Sequence, residues 1–132
     1  MKAAGKGAIV NISTSSVRSG LPSRTPYIVS KFGLMGLTIN AARELGPYNV
    51  RVNAVLPGYV DGPRSRAVAA ALAAEQGVAV EAIRDRAVEF ISMRTQVQPS
   101  DVAEMVWFLA SPAARFVSGQ FVGVDGNQEW EA

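Results

Sequence analysis

The chain has 132 residues, 48% of them hydrophobic, a formal charge of +2, and neither cysteine nor histidine. That length supplies the core of one domain and not of two. The missing residue types exclude disulfides, thiol nucleophiles, histidine-based triads and zinc sites of the usual ligands, so proton chemistry falls to Tyr, Lys, Asp or Glu. Thirteen basic residues against eleven acidic ones, scattered from Lys2 to Arg115 without a run, give no footprint for nucleic acid. No apolar run reaches the roughly 18 residues of a membrane span. The opening MKAAGKGAIVNIS is too short and polar for a secretion signal, so a cytoplasmic chain without nucleic-acid or membrane partners is expected.

In chain order, GAIVNIS (Gly7 to Ser13) is a short apolar run bounded by glycine and hydroxyl residues, as a buried parallel strand would be. A helix is predicted from about Pro26 to Leu45, with Thr25 as its N-cap, Pro26 at its first position and Gly46 and Pro47 ending it. VRVNAVLPG (Val50 to Gly58) reads as a second strand, at a distance that fits a right-handed crossover. Ser65 to Gln76 and Val80 to Met93 read as helices from alanine content and apolar period. Pro99 to Ser111 is a clearer helix, with Asp101 and Glu104 near its positive end. GQFVGVDG (Gly119 to Gly126) is a third strand. This order indicates a parallel α/β sheet of about three strands with flanking helices.

The helix from Pro26 to Leu45 carries apolar or small residues nearly all round, where one stripe would cover a sheet. Its glycines Gly33 and Gly36 each cost about 1 kcal/mol relative to alanine. Close packing against a neighbouring helix or a second subunit would account for them.

Tyr27 and Lys31 stand four apart at the start of this helix and so share one face. Tyr27 also lies in the first turn, where the helix dipole and unpaired amides favour negative charge. Both effects favour a phenolate. The strand ending in hydroxyls before Tyr27 and the strand ending at Pro57 and Gly58 finish at one sheet edge, and ligands bind parallel α/β sheets outside the carboxyl ends of their strands.

With NIS plus a hydroxyl residue, YIVSK, RVNAVLPG, DVAEMVWFLAS and SGQFVGVDG in this order, the chain resembles the C-terminal half of the short-chain dehydrogenase/reductase family, over essentially its whole length. The resemblance implies residues 1–132 as one partial domain, the C-terminal part of a Rossmann-like doubly wound parallel sheet. It implies a nicotinamide-dependent oxidoreductase acting on a small alcohol or ketone, with NAD or NADP as cofactor. Tyr27 would be the general acid/base, and Lys31 would stabilise its phenolate and hold the nicotinamide ribose. The family's substrate-binding serine, thirteen residues before the tyrosine, falls on Thr14. Threonine keeps the hydroxyl and adds a methyl. Ser13 and Ser15 flank it, and strand alternation would point them the other way; Ser15 is a further candidate substrate contact. Pro57, Gly58 and Val60 would meet the cofactor through backbone groups, whereas Gly62 stands where relatives often have threonine.

The family's glycine-rich turn, its ribose selector and its NNAG motif have no match, so about half of the nucleotide-binding fold is not in this sequence. The strand from Gly7 would then have an uncovered edge, and a truncated, non-catalytic dimerising module is the alternative reading. By resemblance the long helix is a subunit-interface helix, which implies a homodimer or homotetramer, with NQEW near another interface. The segment 59–97 is the expected lid over the substrate. Among its arginines, Arg64 follows PGYVDG closely and is the candidate contact to an anionic substrate group.

Overall fold

The structure is a computed structural model that describes residues 1–128. Strands β1 (Gly7–Ile12), β2 (Val50–Pro57) and β3 (Phe121–Val124) form a parallel sheet in the order β1-β2-β3. Helix α1 (Thr25–Leu45) crosses between β1 and β2. Helices α2 (Pro63–Gln76), α3 (Val80–Glu89) and α4 (Pro99–Ala110) fill the connection from β2 to β3. The three expected strands and four expected helices are all present. β1 pairs with β2 alone, and its other edge carries no strand among the described residues.

β2 is the central strand, and Val52, Ala54, Val55 and Leu56 are each no more than 1% exposed. Being covered on both faces, it carries buried apolar residues at alternate positions and at the next one too, Val52, Ala54 and Leu56 together with Val55. Ala54 and Leu56 pack with Val17, and Met35 of α1 and Phe121 of β3 lie against them. Thr38 is fully buried; its hydroxyl donates to the Leu34 carbonyl at 2.7 Å and accepts from the Asn11 amide at 2.9 Å, which fastens α1 across β1. On the far side of α1, Val29, Phe32, Leu37 and Ile39 are at least half exposed. A Cβ on Gly33 or Gly36 would meet nothing within 4 Å, so no described element uses the close approach these glycines permit.

Polar residues of RVNAVLPG hold the frame. Arg51 donates to the carbonyls of Leu109, Ala110 and Ser111, acceptors that the end of α4 leaves unpaired. Asn53, 1% exposed, donates to the Val117 carbonyl and accepts from the Gln120 amide, fixing the loop that enters β3.

Helices α2 and α3 form their own small apolar cluster of Ala69, Ala73 and Ile83 with Val78 and Val80. The segment leaves the body at Val60 and returns at Val97, which form a parallel bridge, and it is tied to the body again at residues 91–93, where the Ser92 and Met93 amides donate to the Asn127 and Gly126 carbonyls.

Three details differ from the sequence reading. The N-cap of α1 is Arg24, without a side-chain cap bond, and Thr25 is already helical. The helix expected to reach Met93 ends at Glu89, because Ile91 is drawn into an antiparallel bridge with Gln128 and is fully buried there. β1 stops at Ile12, so period-two alternation does not extend to Ser13, Thr14 and Ser15; the chain turns into a 3-10 turn at Ser15–Val17 and all three hydroxyls are buried. Of NQEW, Glu129 and Trp130 lie outside the described residues.

Candidate active site

The carboxyl ends of β1 and β2 and the start of α1 meet at one edge of the sheet. The Ser13 amide donates to the Val55 carbonyl at 2.8 Å, and the Ser13 hydroxyl donates to the Lys31 carbonyl at 3.1 Å, so the turn after β1 is pinned to both β2 and α1. The Lys31 ammonium donates to the Ile12 carbonyl at 2.9 Å, which fixes the head of a long side chain at the end of the strand. That ammonium lies 5.9 Å from the centre of the Tyr27 ring, within the range over which a cation and an aromatic face attract. One helical turn separates the two residues, and the carbonyl of Ile12 holds the cation in place beside the phenol.

Tyr27 is 39% exposed and lines an open cavity of about 410 Å³ together with Ser16, Leu21, Arg24 and Arg64. Of the residues expected at the site, the structure brings Tyr27, Lys31 and Arg64 to this region. Thr14 is not in the cavity lining. Its hydroxyl accepts from the Ser16 amide and donates to the Ser16 hydroxyl, both at 3.3 Å, capping the 3-10 turn and setting Ser16 in the wall. Ser15 is buried and is likewise absent from the lining.

Pro57 ends β2 opposite Val124. Gly58 follows it with its amide donating to the Val124 carbonyl at 3.0 Å. A Cβ on Gly58 would sit 2.7 Å from Asp125 Cβ and 2.8 Å from Asp125 Cα, so a neighbouring strand end already demands this glycine. Val97 takes both of its bridge bonds from the residues flanking Val60, accepting from the Asp61 amide and donating to the Tyr59 carbonyl. The backbone N–H and C=O of Val60 therefore face the other way, one donor and one acceptor side by side, matching the two needs of a primary carboxamide.

Asp61 begins the excursion of α2 and α3. Arg66 binds its carboxylate through two nitrogens at 2.9 and 3.1 Å, and Arg84 lies 3.8 Å away. The hydrogen bond from Arg66 holds this carboxyl below its ordinary value of 3.8, and the same contact raises the guanidinium of Arg66.

Three features of the site were missed in the sequence. Arg24 and Ser16 line the cavity. Arg24 carried a signal, a cation three residues before the tyrosine with no acid in the first turn of the helix. Arg18, from the turn that carries Ser16, donates to buried Asp125 at 3.1 Å and so ties that turn to the end of β3. Arg18 passes close over β3 at Gly123, where a Cβ would fall 2.9 Å from Arg18 Nη2 and displace the end of that side chain. Asn127 has φ of 58°, a left-handed turn that glycine and asparagine tolerate best.

A three-stranded parallel sheet flanked by helices, with its carboxyl edge open to ligand, is part of a Rossmann-type fold. The chain belongs to the short-chain dehydrogenase/reductase family, and the family model described as enoyl-(acyl carrier protein) reductase matches residues 1–126. A 3-oxoacyl-[acyl-carrier-protein] reductase of Thermotoga maritima is 36% identical over 121 residues, which is 92% of this chain and 45% of the relative. The human (3R)-3-hydroxyacyl-CoA dehydrogenase is 37% identical over 122 residues, 92% of this chain and 42% of the relative. A crystal structure of an actinorhodin polyketide ketoreductase with NADPH superposes with a TM-score of 0.85 at 36% identity, covering 94% of this chain and 48% of that one. The chain thus spans about half the length of the relatives it matches. Among the described residues no helix is long and apolar enough to cross a membrane.

Proposed function

We propose that the protein carrying this chain is an NAD- or NADP-dependent oxidoreductase acting on a small alcohol or ketone. The observation that carries this reading is the Lys31 ammonium, held by the Ile12 carbonyl and 5.9 Å from the Tyr27 ring, beside a cavity that Tyr27 lines. The nicotinamide supplies or accepts the hydride when bound. Tyr27 gives its phenolic proton to the substrate oxygen during reduction and takes it back during oxidation. Lys31 stabilises the phenolate left behind, and its ammonium, with two donors beyond the one on Ile12, can hold a ribose hydroxyl. Val60 offers its backbone N–H and C=O to the carboxamide. Pro57 and Gly58 shape the floor below it.

Thr14 supports the substrate side through Ser16, and a direct contact from its hydroxyl requires that hydroxyl to leave Ser16. The excursion 59–97, anchored at the Val60–Val97 bridge and again where Ile91 bridges Gln128, serves as the substrate lid through α2 and α3. NAD and NADP are not distinguished by any residue of this sequence, and the groups that would bind the pyrophosphate are not in it. Replacing Lys31 by Met in the full-length protein tests the pairing: turnover should fall at least about tenfold and the Michaelis constant for the cofactor should rise, with the far-ultraviolet spectrum unchanged. Unchanged values for both constants would remove Lys31 from the chemistry.

The outward face of α1 favours a homodimer or homotetramer, and it is also what a non-catalytic dimerising module would present. Direct titration with NADH and NADPH separates the two readings, since the module binds neither.

A further inference from the structure

Resting on the catalytic reading of Tyr27, we infer that its cavity is built for a substrate carrying an oxyanion, a carboxylate or a phosphate, held between Arg24 and Arg64. The two arginines come from different elements, Arg24 from the N-cap of α1 and Arg64 from the first turn of α2, and line the same 410 Å³ space as the phenol. Leu21 gives that space an apolar wall and Ser16 a hydroxyl. A reactive carbonyl at Tyr27 and an anion at the arginines fit a small bifunctional molecule.

What singles these two out is their lack of partners. The other four arginines of the excursion are engaged: Arg66 and Arg84 with Asp61, Arg84 also with Gln96, Arg86 with Gln76, and Arg94 with the Glu89 carbonyl. Asp61, the carboxylate closest in sequence to Arg64, is thereby already occupied. Among the described residues no carboxylate lies within ion-pair distance of Arg24 or Arg64, and the first turn of α1 holds no acid. Within the excursion Asp61 is taken by Arg66 and Arg84, and Arg86 and Arg94 are held by neutral oxygens, so among its five arginines only the Arg64 side chain has no partner among the described residues. Two planar guanidinium forks can bind one oxyanion through several charge-assisted hydrogen bonds.

The test uses the full-length protein with two matched pairs, 4-oxocyclohexanecarboxylate against its methyl ester and dihydroxyacetone phosphate against dihydroxyacetone. For each pair the ratio of kcat/KM, anion over neutral, should exceed about ten for at least one anion and should fall ten- to hundredfold in Arg64→Ala, chiefly through KM. Arg24→Ala should act in the same direction and Arg64→Lys should restore part of the ratio. The pair that shows the preference tells carboxylate from phosphate. Calorimetric titration of the same four compounds is read beside the kinetics and does not depend on turnover. If the neutral members bind as well as the anions, or the ratio is the same in wild type and Arg64→Ala, the inference is overturned. Anion-selective binding lost in Arg64→Ala, combined with turnover that survives Tyr27→Phe, would keep the clamp and remove the catalytic reading.

Discussion

Gly58 separates a structural demand from a functional one. A methyl group added there would lie 2.7 Å from Asp125 Cβ, 2.8 Å from Asp125 Cα and 2.8 Å from Gln128 Oε1. The nearest of these atoms belong to backbone or sit next to it, so β2 and the end of β3 must move apart. Overpacking of this kind costs about 1–3 kcal/mol. Two hydrogen bonds run through the same contact, from the Gly58 amide to the Val124 carbonyl at 3.0 Å and from the Tyr59 amide to Gln128 Oε1 at 3.0 Å. Stretching them adds about 0.5–1 kcal/mol each. The expected cost of Gly58→Ala is therefore about 2–5 kcal/mol, or roughly 4–20 °C in Tm for a protein of about 150–250 residues. Thermal unfolding by circular dichroism of the full-length protein, run beside an NADPH titration, decides the matter. A Tm within about 2 °C of wild type together with weakened NADPH binding would refute the packing account and return Gly58 to the cofactor.

Arg18→Ala strips the ion-pair partner from Asp125, whose side chain is 8% exposed, while Arg18 itself is 51% exposed; water can partly replace it, so the cost should be about 1–3 kcal/mol, and Asp125→Asn in the same background should recover part of the loss in urea unfolding. Asp61 is held below its ordinary 3.8 by Arg66, so its contribution is present above that value and is lost as pH falls through the lowered folded value; amide exchange in α2 should accelerate below about pH 4, and Asp61→Asn should abolish that acid dependence. Phe32→Asp, on the exposed face of α1, should shift an oligomer towards smaller species in sedimentation velocity, whereas a wild-type protein that already sediments as a monomer would end the association proposal. A charge at Met35 on the same helix would instead destabilise the fold, because Met35 packs against Val17, Ala54 and Leu56.

The strands were legible because buried parallel strands have a plain signature: apolar runs stopped by hydroxyls at Ser13, by Pro57 and Gly58, and by Gly126. The tyrosine–lysine spacing was legible for a similar reason, since helical period alone puts Tyr27 and Lys31 together. What the sequence concealed depends on contacts between distant segments. Nothing local says that Ile91 leaves its helix to pair with Gln128, or that Asp125 stands where a side chain on Gly58 would have to be. Thr14 and Ser16 changed places at the cavity because β1 ends one residue earlier than its pattern, and a 3-10 turn, with a different period, follows. Arg64 was chosen for its position, but only the pairing of every neighbouring arginine, and the arrival of Arg24 from another helix, gave that choice a physical basis.

The most direct test of the catalytic reading is Tyr27→Phe in the full-length protein, with cofactor binding and ketone reduction measured on the same preparation. The ring and its packing are kept and only the proton carrier is lost. Turnover should fall by about 10²–10⁴, while the Kd for NADH or NADPH stays within about threefold of wild type, because the residues assigned to the nicotinamide are Lys31 and Val60 and both remain. A variant that reduces the ketone at most of the wild-type rate would contradict the account.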